Sequence, residues 1–206
     1  MTPRPASYAD RRVEMYCGCA FDQSKRVSPN CGVKSDTYAN RIGRIEWEHV
    51  VPVSDFGRQL FRSCYNDSPS GTSGRQHCRD TDPEFARAEG DPWNLIPAIG
   101  TLNAVRSNYR FGEVPGEPRA FGVCDFEISE DGAGRFVEVP ESVKGDVARA
   151  YNYMSWRYGY RIGRSQKSLL EAWAALDPVD EWERIRAQRI FEVTGMPNPI
   201  YGLSGS

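Results

Sequence analysis

The spacing of hydrophobic and polar positions changes period along this chain. In "RIEWEHVV", residues 44 to 51, apolar and polar residues alternate and then close on two valines before Pro52, which predicts a strand ending there. "PVSDFG" after it predicts a turn or a short helix. From Pro140 onward apolar residues recur at three and four. "PESVKGDVARAYNYMSWRYG", "SQKSLLEAWAAL" and "VDEWERIRAQRIFEVTG" each predict a helix, the first opening at Pro and stopping at Gly159. In between, "TDPEFARAEG" carries a capping residue, an early Pro and a closing Gly, a helix signature. "NLIPAI" is a short apolar piece, and "GTLNAVRSNYRF" predicts a helix through about Tyr109. "FGVCDFEI" and "RFVEV", either side of Asp131-Gly132, predict a hairpin within 121–139. A short helix is expected over 8–16, turns from Cys17 to about Asn40, a bare loop over 62–82 and a mobile tail over 203–206. The sum is an α+β single domain, residues 1–206, with few short strands and a helical C-terminal part.

A chain of 206 residues is long enough to bury roughly 70% of its unfolded surface, so a core is available without staples. The net charge of −2 excludes a global basic field drawing it to nucleic acid. Only four of the 26 basic residues are Lys, leaving 22 Arg, whose planar fork suits phosphate; a GC-rich coding sequence is the bland alternative. No apolar run approaches the ~18–20 residues needed to span a membrane, so no membrane role is expected. "MTPRPASYADRR" lacks the apolar stretch of a signal peptide. The six cysteines, Cys17, Cys19, Cys31, Cys64, Cys78 and Cys124, nevertheless predict three disulfides and an oxidising compartment. The expectation that reconciles these is a mature form whose leader has been removed, Met1 being supplied at expression. "CGC" with a lone Cys31 does not have paired C-x-x-C spacing, which disfavours zinc. Cys64 and Cys78 sit near the ends of the 62–82 stretch; a bond between them would close a ~14-residue loop, worth about 3 kcal/mol.

The chain has two histidines. His49 stands beside Glu48 where the predicted strand ends. Adjacent strand residues face opposite ways, so both serve one site only where the strand bends, and Pro52 places such a change nearby. Asn103, Arg106 and Ser107 share a helix face, which by itself reads as a solvated face. His77 reads as an exposed loop histidine, and the five tryptophans read as core.

"RIEWEHVVPVSDFG", "SGRQHCRDTDPEFARAEGDPWNLIPAIGTLNAVRSNYRFGE", "KGDVARAYNYMSWRYGY" and the late "DPVDEWERIRAQRI…G…NP" together resemble the bacterial endonuclease I family, in the same order from about Tyr16 to Pro199. That resemblance implies a ββα-metal (His-Me finger) core over about 41–110 and a helical part over about 140–195. It implies His49 as general base, Glu48 and Asn103 as metal ligands, Arg75 as a phosphate ligand and Glu89 orienting or polarising the histidine. Mg²⁺ is the implied ion, with Mn²⁺ or Ca²⁺ able to replace it. Of Arg41, Arg44, Arg58, Arg62, Arg79, Arg106 and Arg110, some, with Arg44, Arg58, Arg106 and Arg110 foremost, are expected to line a phosphate-binding groove and make binding salt-sensitive, and Arg106 has the alternative of bracing the core of the motif. The implied activity is sequence-tolerant cleavage of double- and single-stranded DNA, and of RNA, to 5′-phosphate and 3′-hydroxyl ends by a periplasmic or secreted monomer. The chemistry agrees: neutral imidazole, pKa near ~6.5, can take a proton from water. One carboxylate and one amide oxygen suit Mg²⁺, which keeps several waters. A Cys64–Cys78 bond would hold Arg75 near the phosphate, and the other four cysteines would join the N-terminal segment to itself and to the Cys124 strand. The family's further cysteine pair is missing from "WERIR", which predicts a looser C-terminal tail. Two other readings stand beside this one: a nucleic-acid-binding protein of the same fold without catalysis, and a disulfide-stapled structural domain.

Overall fold

A computed structural model of the protein describes residues 6–116, 118–131 and 134–204. In chain order the elements are β1 (Ile45–His49), α1 (Val53–Leu60), α2 (Arg62–Asn66), α3 (Gly74–Thr81), α4 (Pro83–Gly90), β2 (Leu95–Ile99), α5 (Gly100–Arg106), β3 (Arg110–Phe111), β4 (Glu127–Asp131), β5 (Gly134–Glu138), α6 (Glu141–Tyr158), α7 (Arg164–Leu176) and α8 (Glu181–Thr194). β1 and β2 form an antiparallel pair, Ile45 opposite Ile99 and His49 opposite Leu95, and α5 follows β2 directly. The second sheet has the order β3-β5-β4, with β3 parallel and β4 antiparallel to β5.

α1 buries Val53, Phe56 and Gly57, three and four apart, against Phe61 and Phe85. Each buried aromatic contributes roughly 1.5–3 kcal/mol of transfer free energy. α4 starts where Asp82 accepts the backbone N–H of Glu84 and Phe85, with Pro83 in the first turn. α8 starts with a capping box, Asp180 and Glu183 bonding each other's backbone. α6 stops at Gly159, whose φ of 74° is the left-handed geometry that glycine adopts without penalty.

The C-terminal helices grip the segment leading into β2. Asp91 accepts the hydroxyls of Tyr153 and Tyr158 at 2.9 and 2.7 Å. Arg186 of α8 donates to the carbonyls of Pro92 and Leu95. α6 and α8 are joined by the buried pair Arg149–Glu183.

Several local expectations change. Residues 8–16 are not a helix. A three-residue 3-10 turn at Ala6–Tyr8 is followed by an isolated bridge between Val13 and Ala20. Buried Glu14 there collects the N–H groups of Tyr16, Cys17 and Cys19, which a helix would have used itself. The 62–82 stretch is two helices, α2 and α3, with only 67–73 between them; the Ser73 hydroxyl caps α3 through the Gln76 N–H. His77 is therefore helical and half-buried. α5 ends at Arg106 rather than near Tyr109, because Ser107 turns to φ 53°. The hairpin starts at Glu127, and Gly132 of its expected turn lies outside the described residues. Leu203 pairs with Asn198, and Tyr201 stacks on Trp93, so the tail is docked as far as Leu203; Gly205 and Ser206 lie outside the described residues. Trp156 is 52% exposed and not core. The disulfides are Cys17–Cys124, Cys19–Cys31 and Cys64–Cys78. No helix among the described residues is long and apolar enough to cross a membrane.

Candidate active site

Glu48, His49, Arg75 and Asn103 line one cavity of about 490 Å³, together with Arg41, Arg106, Ser107 and Asn108. Glu48 and His49 share it because β1 ends at His49 and the chain bends before α1. The bend is pinned from below. The Asn94 side chain accepts the Val51 N–H at 2.7 Å and donates to the Val51 carbonyl at 3.0 Å, so an amide continues the ladder beyond the strand.

His49 Nε2 lies 2.8 Å from the Glu89 carbonyl. A carbonyl only accepts, so Nε2 carries the hydrogen and the neutral ring has its lone pair on Nδ1. Glu89 thus orients the imidazole with its main chain. Its carboxylate is engaged elsewhere. Arg75 Nε donates to Oε1 at 2.5 Å, and Arg79 binds both oxygens at 2.7 and 2.5 Å. Partial burial pushes the Glu89 carboxyl up, but the hydrogen bonds from Arg79 and Arg75 outweigh it and hold it below the usual range. The two Nη groups of Arg75 have no partner among the described residues. The Cys64–Cys78 bond ties α2 to α3, the helix bearing both arginines.

Glu48 is 3% exposed. Its Oε1 accepts from Arg106 Nη1 at 2.8 Å and from the Tyr16 hydroxyl at 3.3 Å. Burial outweighs both and pushes its carboxyl up to about 7. Asn103 donates its amide to Glu46 Oε2 at 2.9 Å, which presents Oδ1 as the atom able to hold a cation. Glu46 also takes Arg41 and Arg44; partial burial raises its carboxyl, but these hydrogen bonds outweigh that and lower it. Gly100 sits so close to Glu46 that a Cβ there would lie 2.7 Å from Oε1.

The arginines divide. Arg106, expected either in a groove or as a brace of the motif's core, is 1% exposed. It binds Glu48, the His49 carbonyl at 2.7 Å and the Val50 carbonyl at 2.5 Å, and stacks over Phe111, so it braces the site. Arg44 is exposed but donates to Glu46, and Arg41 lines the cavity in its place. Arg58 and Arg110 line a neighbouring cavity. Tyr16, Glu46 and Asn94 were not singled out in the sequence, whereas Arg79 stood among the arginines expected near phosphate, one helical turn from Arg75.

A histidine fixed at one nitrogen, beside a buried carboxylate and an arginine with open donors, is equipment for hydrolysing a phosphate ester. The comparisons agree. The family model described as Endonuclease I matches residues 5–201. An extracellular deoxyribonuclease of Aeromonas hydrophila is 43% identical over 94% of this chain and 83% of its own length. A periplasmic deoxyribonuclease of the same organism is 41% identical, over 94% and 79%. Endonuclease-1 of Buchnera aphidicola subsp. Acyrthosiphon pisum is 36% identical, over 89% and 71%. The protein is an enzyme, a hydrolytic nuclease. The chain belongs to the endonuclease I family.

Proposed function

We propose that this protein is a divalent-metal-dependent endonuclease that hydrolyses phosphodiester bonds of DNA, and of RNA, without sequence preference, to 5′-phosphate and 3′-hydroxyl ends, outside the cytoplasm. The names of its relatives support DNA as substrate and a periplasmic or extracellular site, and the three disulfides fit an oxidising compartment. The observation that carries the reading is the His49 tautomer, fixed by the Glu89 carbonyl inside a cavity shared with Glu48, Asn103 and Arg75.

The Glu48 carboxylate and the Asn103 amide oxygen are a hard-donor pair suited to Mg²⁺, or to Mn²⁺ or Ca²⁺. On Glu48, Arg106 and the Tyr16 hydroxyl both bond Oε1, which leaves Oε2 as the oxygen available to a cation. Among the described residues a further cluster of metal-ligating residue types, Glu14 with Cys17 and Cys19, has both sulfurs in disulfides. A bound dication would neutralise charge developing on the phosphate and the departing 3′ oxygen. His49 Nδ1 accepts the proton of the attacking water, while the Glu89 carbonyl holds the imidazolium as it forms. The open Nη groups of Arg75 grip phosphate oxygens, and Glu89 with Arg79 keeps that guanidinium in place. Contacts of this kind address backbone and not base edges, which accounts for tolerance of sequence.

Plasmid nicking tests the reading. Cutting should require Mg²⁺, stop in EDTA, and fall by ~10²–10⁴ in His49→Ala, the usual contribution of a general base. His49→Ala cutting as fast as wild type would remove the base assignment, and full activity of Asn103→Ala at low Mg²⁺ would remove the ligand assignment.

A further inference from the structure

Beside the catalytic cavity lies a second one of about 600 Å³, in which Arg58, Arg62, Arg110 and Arg161 converge on a lining that includes only one carboxylate, Asp55. All four arginines are exposed. Among the described residues none of them forms an ion pair; Arg58 lies over the Tyr65 ring. Four cations against one anion leave about three positive charges facing one concavity in a protein whose net charge is −2. Such a concentration repels itself and draws anions.

The cavity is built from three distant stretches that are fastened together. Gln59 on α1 exchanges two hydrogen bonds with the backbone of Arg161, its Oε1 accepting the N–H at 2.5 Å and its Nε2 donating to the carbonyl at 3.2 Å. Gln166 on α7 donates to the Phe111 carbonyl at 3.1 Å, fixing α7 against β3. The guanidinium groups would suffice by charge; the start of α7 adds to them. Its Gly163 cap has no side chain to satisfy the first N–H groups, and Gly163, Ser165 and Gln166 line the cavity. Asn108 lines both cavities, so a polynucleotide leaving the active site past Asn108 enters the second.

We propose that this four-arginine cavity is a second phosphate subsite, which holds a backbone phosphate a few nucleotides from the scissile bond and so sets the register and salt sensitivity of substrate binding. The subsite rests on the nuclease reading above. Its ligand is a phosphodiester of the substrate strand, recognised by charge and the planar fork without reference to base.

The test is the Arg62→Ala/Arg161→Ala double variant, with Arg62→Lys/Arg161→Lys as its charge-conserving control. Anisotropy of a short fluorescein-labelled DNA duplex, measured in EDTA so that nothing is cut, gives affinity across salt. Each lost duplex phosphate contact lowers the slope of log K against log salt by about 0.9, so two lost contacts lower it by about 1.8. Between about 50 and 200 mM salt, wild type should then lose about tenfold more affinity than the alanine pair, and the lysine pair should keep the wild-type slope. Plasmid nicking with Mg²⁺ is run alongside. Wild type that cuts while the alanine pair keeps the wild-type slope overturns the subsite and leaves the nuclease reading standing. A lysine pair that loses the slope as the alanine pair does also overturns it, because the effect then follows packing and not charge. Wild type that cuts nothing overturns both.

Discussion

Replacing Glu48 by Gln should remove a pH dependence of folding stability that the metal-free protein carries. An unfolded-chain glutamate titrates near 4.5, whereas burial pushes Glu48 in the folded protein up to about 7. Below 4.5 both states hold the proton and the residue contributes nothing. As pH rises from 4.5 the unfolded state releases its proton while the folded state keeps it, so stability falls; above about 7 both are ionised and the loss is complete. The sign is that of a carboxyl raised by desolvation, the opposite of an ordinary salt-bridged acid. The gap between 4.5 and about 7, at about 1.4 kcal/mol per pH unit, amounts to about 3 kcal/mol, a large share of a domain's usual 5–15 kcal/mol.

The assay is urea unfolding in EDTA, followed by tryptophan fluorescence, at a series of pH values for wild type and Glu48→Gln. Glutamine still offers an oxygen to Arg106 and Tyr16, so the variant's absolute stability carries a constant offset; the informative quantity is the difference between the two curves. Buried Glu14 and Asp91 are also raised by desolvation and contribute slopes of the same sign, but both proteins contain them, so they cancel. The difference should change by about 3 kcal/mol between about pH 4.5 and 8, in the direction of a relatively more stable Gln variant at high pH. Adding Mg²⁺ should flatten the wild-type curve and leave the variant's unaltered, since a ligand that prefers the ionised folded state stabilises it. Parallel curves in EDTA would refute the buried, under-compensated carboxylate.

Two further outcomes follow from the same site. Cys64→Ser/Cys78→Ser should lower unfolding free energy by about 3 kcal/mol and weaken nicking more than the stability loss explains, because the α3 arginines lose their staple; undiminished nicking by folded double variant, or by wild type after reduction, would count against it. Glu89→Gln should cut kcat/KM by about tenfold or more, as charge-assisted bonds to Arg75 and Arg79 weaken by about 1.5–3 kcal/mol, while the pH–rate profile keeps its shape because the main-chain acceptor of His49 survives. A shifted profile would instead tie the carboxylate to the histidine.

Elements whose information is local were legible in the chain. α6, α7 and α8 follow from three- and four-residue apolar spacing and Gly159, and β1 from its alternation and Pro52. The sequence also placed Glu48, His49, Arg75 and Asn103, through family resemblance, and these do line one cavity. What failed was set by contacts over distance. Residues 62–82 look like loop by composition, yet a disulfide and a serine cap fold them into two short helices whose intrinsic propensity is poor. Residues 8–16 look helical by spacing, yet Glu14 takes backbone donors from the Cys17–Cys19 turn. For Arg106 the sequence left a polar or groove-lining face and a brace of the core both open; the fold, which sets it under β1 with three acceptors within 2.8 Å, decides between them.

That last case explains how so small a sheet can hold the candidate site. β1 and β2 make a five-pair antiparallel ladder, and two strands alone are at best marginal in water. They are also far apart in the chain, so no tight turn fixes their register. The register is fixed from outside the ladder. Asn94 prolongs it past His49, Arg106 ties the outgoing carbonyls of His49 and Val50, and Arg186 and the Asp91–tyrosine bonds fasten the entry to β2 onto the C-terminal helices. Most of these groups are buried, where an unmade hydrogen bond costs about 1–3 kcal/mol. A one-residue slip would break several at once and turn His49 away from the Glu89 carbonyl. The position of His49 is therefore a property of the whole domain, including helices that line no part of its cavity.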